Sequence, residues 1–159
     1  MSSEASVSFR DLLAYTDFLA NRWLNYFRQH PEALEINVGG RIGTLRALVD
    51  HIFAVEQTFA DRLHGKEVSY PKVEAPGLEK LEANHRQAQA ELTAYVAAVS
   101  EGELGRVAKF GPVTVSNRKV LTQTVLHSVH HWAQVAMEVR QAGFPTEKPQ
   151  DIIISPVME

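Results

Sequence analysis

His127 and His131 lie four residues apart in the segment Leu126-His127-Ser128-Val129-His130-His131-Trp132-Ala133-Gln134. If the segment is helical, about 100° per residue sets these two positions about 40° apart on one face, so both imidazoles can turn toward a single ion. A mononuclear site needs at least one further ligand. His51 is a candidate, because it sits beside Leu48 and Val55 at the edge of an apolar helical stripe and can point between helices. Three neutral imidazoles leave a coordination position open, as catalytic zinc sites do. Spacing alone also fits a solvated polar face shared by His127, His131, Thr124, Gln134 and Glu138, with His51 a core-edge histidine that hydrogen-bonds a neighbour.

The other histidines read differently. His130 points about 60° away from His127 and about 100° from His131, which makes it a neighbour of the site or a surface residue. His85 shares a helical face with Leu78, Leu81, Leu92 and Val96 and is expected as a hydrogen-bonded core residue. His30 and His64 fall at helix ends, where an imidazole gains from the helix dipole. Glu56 lies within the apolar face of the second helix, so it needs a hydrogen-bond partner or a raised pKa; packing is the first reading and orientation of a ligand the second. Gln134 lies close enough to the pair to line the same pocket.

Several metal classes are excluded by type and spacing. A zincin protease requires Glu directly after the first histidine, where Ser128 stands. A di-iron bundle requires two Glu-x-x-His motifs, and only Glu82 to His85 has that form. The chain has no cysteine, so a thiolate ligand, a disulfide or a protein thiol nucleophile is ruled out and any sulfur must arrive with a substrate.

Four amphipathic helices are predicted to position these residues, over roughly 8–29, 44–64, 78–99 and 117–142. Leu12, Tyr15, Leu19, Trp23 and Phe27 mark the first, which Pro31 ends. Thr44 is the expected N-cap of the second and Gly65 its C-terminal stop. Ser116 or Asn117 caps the last, whose apolar face collects Leu121, Val125, Val129, Trp132, Ala136 and Val139, with Gly143 and Pro145 beyond it. The segment from His64 to Gly77 reads as a long ordered linker. Leu104 to Val115 fits either a short hairpin or an ordered loop around Gly111 and Pro112. The tail over 146–159 carries Ile152-Ile153-Ile154 and is expected to dock on the bundle or on a second subunit. The fold class expected is all-α: one domain over 1–159, an antiparallel four-helix bundle.

At 159 residues, 45% hydrophobic, the chain can bury a core without metal or disulfide staples. A net charge of −3 with scattered Lys and Arg leaves no footprint for nucleic acid or an anionic membrane. The start lacks the basic and apolar regions of a secretory leader, and no apolar run is long enough to span a bilayer, so a cytoplasmic protein is expected.

The order and spacing of these residues resemble a known family. His51 within Leu48-Val49-Asp50-His51-Ile52-Phe53-Ala54-Val55-Glu56, the run His127, His130, His131 and Gln134, Ala20-Asn21 on the first helix and the exit from Gln141 to Gly143 are similar to the DinB/YfiT-like family of small metal-binding bundles, which is distinct from the DNA polymerase of similar name. The likeness extends over about 8–143. It implies a four-helix bundle, often a homodimer, that holds one divalent metal ion on three histidines mapping onto His51, His127 and His131. Zinc or nickel is the expected ion, with iron and copper as alternatives. Characterised relatives use the ion to activate a low-molecular-weight thiol, as bacillithiol transferases and mycothiol-dependent isomerases do. The implied function is a metal-dependent S-transferase acting on a small-molecule substrate, with a non-catalytic metal-binding stress or interaction bundle, or a hydrolase using metal-bound water, as alternatives. Here Ser128, Trp132 and Ala133 stand where the family motif commonly reads Glu, Arg and Gly. That departure leaves the ligand positions intact and alters the shape and charge of the pocket.

Overall fold

The computed structural model describes residues 7–145 and 151–158. It is mostly helical. Helix α1 spans Phe9–Gln29, α2 Leu45–Leu63, α3 Leu78–Ala98, α4 Glu101–Gly105 and α5 Asn117–Gln141. Strands β1 (Asn37–Gly39) and β2 (Gly43–Thr44) pair antiparallel, as do β3 (Val107–Phe110) and β4 (Val113–Ser116). A 3-10 turn covers Pro31–Glu35 and another covers Ile152–Ile154.

Three of the four long helices begin where a side chain can accept from the first turn, while α3 starts after Gly77 without one. Ser8 and Asp11 form a reciprocal capping box at α1, Thr44 accepts from the Ala47 amide at α2, and Ser116 accepts from the Lys119 amide at α5. Gly65 and Gly143 adopt φ of +75° and +77° just past α2 and α5, where an L side chain would be strained.

Helix α2 packs on α3 and on α5, and α1 packs on the same two. Trp23, Phe27, Leu34, Ile52, Phe53 and Trp132 centre one apolar cluster, in which the Trp23 and Trp132 rings stack at 6.3 Å and 6°. Trp132 thus fills core volume, as its place on the apolar face of α5 predicts. Phe59, Ala60, Leu92, Leu104, Val120 and Leu121 centre a second cluster toward the opposite end of α2.

Between the two clusters runs a polar chain that touches all four long helices. Asp17 of α1 lies 2.8 Å from Nε2 of His85 on α3. Nδ1 of His85 is 3.7 Å from Oε2 of Glu56 on α2, an ion-pair distance longer than a hydrogen bond. The Ser128 hydroxyl of α5 donates to the other Glu56 oxygen in a short hydrogen bond. His85 and Glu56 are each 2% exposed and Ser128 is fully buried. Burial disfavours the His85 cation, but the hydrogen bond to Asp17 and the proximity of Glu56 outweigh it and raise its pKa from 6.5 to about 9.

The linker after α2 has no regular structure, yet it is anchored. The buried Asp50 carboxylate accepts from the amides of Glu74 and Ala75 at 2.7 and 3.0 Å, and Arg46 donates to the Pro76 carbonyl at 3.2 Å. These bonds hold Ala75 at a φ of +48°.

The all-α expectation needs one correction, and two segments gain detail. Four helices leave out α4 and the β1–β2 hairpin, which have too few residues to show a pattern. The open choice at Leu104 to Val115 resolves into α4 followed by the β3–β4 hairpin. In the tail, residues 146–150 and 159 lie outside the described residues, and the three isoleucines are exposed, Ile153 at 86%. The 3-10 turn directs them outward, while Ser155 is buried and Val157 packs against the first core cluster.

The raised pKa of His85 gives stability that is fully present below pH 6.5 and lost as pH rises through about 9. The free energy of unfolding measured with denaturant is therefore expected to fall across that window. The variant His85→Leu should start about 3–5 kcal/mol less stable, since Glu56 loses its cationic partner, and should show no such decline.

Candidate metal centre

His51 is carried by α2, and His127 and His131 by consecutive turns of α5. Because α2 and α5 pack directly, the three half-buried rings meet in the seam between them. One ring nitrogen of each lies within 4.8 Å of the other two. Ring centroids are 5.0 Å apart for His51 and His127, 5.0 Å for His51 and His131, and 4.3 Å for His127 and His131. The polar side of α5 is consequently no solvated face. Thr124 is buried, and both histidines are half-buried.

The closest approach carries the most information. Nε2 of His127 and Nε2 of His51 are 3.2 Å apart. Two nitrogens bound to one tetrahedral zinc at 2.0–2.1 Å would be separated by about 3.3 Å, so the observed gap matches a shared ion as well as a hydrogen bond between neutral imidazoles. Protonation of both rings is disfavoured. Burial drives the His127 pKa down to about 3, aided by His131, His51 and His130. Burial also lowers His51 and His131, and His131 adds to the effect at His51. Unprotonated imidazoles are the form that ligates metal.

Gln134, one turn beyond His131, supplies orientation. Its Oε1 lies 2.6 Å from Nδ1 of His131, so the amide oxygen accepts that N–H and the Nε2 lone pair is free to face the cluster. No such partner reaches Nδ1 of His127 among the described residues. His130 is exposed, with its ring 5.0 Å from that of His131. Glu56 belongs to the core chain through Ser128 and His85 rather than to the three histidines. The role of Ser128 was not visible in the sequence, where it registers only as a departure from a family motif; the available signal was a glutamate on an apolar face that required a partner.

His51 and His127 form one end of a cavity of about 510 Å³. Val55, Thr58 and Phe59 of α2 continue the wall, the linker contributes residues 68–71, and the β3–β4 turn closes the side with Phe110, Gly111 and Pro112. The linker and the β3–β4 turn therefore shape the space beside the histidines. The donor set, the nitrogen separation and the adjoining cavity together suit a single divalent ion with room for a guest.

Comparison with known proteins gives a consistent result. The model of the DinB family matches residues 1–151. Among solved structures, the crystal structure of a DinB family member from Shewanella denitrificans superposes with a TM-score of 0.53 at 14% identity, covering 89% of this chain and 85% of that one. At that identity the likeness speaks to the fold. No curated protein matches.

Replacing Gln134 with Leu should free the His131 ring and lower affinity for a divalent ion by about 10–100-fold, whereas His130→Ala should leave it unchanged. Competition titration against a chromophoric chelator measures both.

Proposed function

The chain belongs to the DinB family, and from that premise we propose that His51, His127 and His131 hold one divalent metal ion in a metal-dependent transferase that activates a low-molecular-weight thiol. The observation that carries this reading is the convergence of three imidazoles, two of them with Nε2 atoms 3.2 Å apart and lining a cavity. Zinc or nickel is the proposed ion. When bound, such an ion offers an open position to a thiol sulfur and lowers its pKa toward neutrality.

The residues of this chain do the rest. The histidines stay neutral because they are buried beside one another, and Gln134 fixes the rotation of His131. Val55, Phe59 and Phe110 keep the cavity walls dry. The nucleophile comes with the cosubstrate, since the chain has no cysteine. We further read the four long helices, α1, α2, α3 and α5, as an antiparallel bundle forming a single domain, and the protein as a cytoplasmic homodimer. The exposed isoleucines of the tail support a subunit contact. Among the described residues no helix is long and apolar enough to cross a membrane.

Chelator-free protein is expected to contain close to one ion per chain by elemental analysis, and alanine at any of the three histidines should abolish it while helicity is retained. Loaded protein should consume a thiol in the presence of a neutral aromatic electrophile, and metal-free protein should not. Turnover without thiol would assign a hydrolase instead; bound metal without any turnover would assign a non-catalytic bundle; protein that takes up no metal after reconstitution would overturn the proposal.

A further inference from the structure

The cavity beside His51 and His127 has an unusual chemical bias. None of its twelve lining residues is Asp, Glu, Lys or Arg. The contrast within the same molecule is direct, because the cavity of about 230 Å³ at the C-terminal end of α2 is lined by Arg62, Arg106 and Glu103. Away from the two histidines, Val55, Phe59, Phe110 and Pro71 are among the apolar lining residues of the larger cavity, and its side-chain polar groups are the hydroxyls of Thr58, Ser69 and Tyr70. The rings of Phe59 and Phe110 lie 5.4 Å apart at 46°, and Phe59 stands edge-on to His127 at 6.4 Å and 84°. A flat ring fits against surfaces of this kind by offset or edge contacts.

Two of the flanking segments are anchored. Asp50, the residue before His51, fixes the linker at Glu74 and Ala75, three to four residues beyond the lining stretch 68–71. The β3–β4 ladder is paired along its length from Val107 with Ser116 to Phe110 with Val113. The volume of about 510 Å³ lies within the range of sites that enclose a small molecule. A carboxylate, phosphate or ammonium placed among these walls would lose hydration without gaining a countercharge, whereas an aromatic or branched alkyl body would gain from burial.

We propose that this cavity binds the body of an uncharged, apolar small molecule, an aromatic ring or compact branched alkyl group, with its reactive end at His51 and His127. This deepens the transferase reading by naming the class of its second substrate, and it rests on that reading only for which end reacts. Binding of the apolar body needs no metal. Any charged part of a thiol cosubstrate then lies at the mouth of the cavity, where Tyr70 is 84% exposed, and not among the walls.

The test uses three probes of nearly equal size, phenylacetamide, phenylacetate and phenethylammonium, titrated into metal-free full-length protein and followed by amide NMR shifts. The neutral amide should bind at least tenfold more tightly than either ion, with the largest shifts at Thr58, Phe59, Tyr70 and Phe110. Thr58 is half-buried on the α2 wall, its hydroxyl bonds only back to the Ala54 carbonyl of its own helix, and Lys is well tolerated in a helix, so Thr58→Lys should retain the fold while placing a cation in the wall. That variant should reverse the preference toward phenylacetate. Equal or stronger binding of an ion by the wild type, no binding of any probe, shifts confined to other surfaces, or an unchanged preference in Thr58→Lys would overturn the proposal. Elemental analysis of the same preparation separates the two readings. Neutral-probe binding by protein that takes up no metal keeps the cavity assignment and removes the metal reading, while bound metal without a neutral preference removes the cavity assignment alone.

Discussion

A buried charge cannot be left unpaired, and the chain of Asp17, His85, Glu56 and Ser128 is where this structure meets that constraint. Each member comes from a different long helix. Apolar packing alone tolerates small rotations and slides between helices, because volume can be filled in more than one way. A carboxylate at 2% exposure does not have that latitude, since moving α2 against α5 by one residue would separate Glu56 from Ser128. The polar chain thus sets the register that the apolar clusters on either side then fill.

The same pair of helices carries the histidines. On α2, Glu56 follows His51 by five residues, which turns it about 140° away, and on α5 Ser128 immediately follows His127. One polar contact, Glu56 with Ser128, lies toward the core, and the other, His51 with His127, lies toward the cavity. Aligning the first brings the second to 3.2 Å. Ser128 is then a hydroxyl matched to the carboxylate opposite it, and Trp132, one turn on, stacks against Trp23 where a longer cation would need its own partner.

The helices were legible in the sequence because their signals are local. Ser8, Thr44 and Ser116 each cap with a bond to an amide three residues on, and the apolar periodicity of α1, α2 and α5 lies within each segment. The i, i+4 histidines are local in the same sense, and His51 was found from its place on a stripe. What was not legible depends on distant contacts. Ser128 bonds to a residue 72 positions away, and His85 to one 68 positions away. Short α4 and the hairpins have too few residues to build a pattern, and the linker owes its path to Asp50, whose burial the sequence did not signal. Even the exposed isoleucines follow from a single 3-10 turn, which apolar composition alone does not foretell.

If His51, His127 and His131 act together on one ion, the complete zinc site requires all three. X-ray absorption of the zinc-loaded protein, paired with the same spectrum of His51→Ala, tests it most directly. Three imidazole nitrogens at about 2.0–2.1 Å with one further ligand at the open position are expected, falling to two imidazoles or to loss of zinc in the variant. A wild-type spectrum with fewer than three imidazoles, or one unchanged by removal of His51, would contradict it.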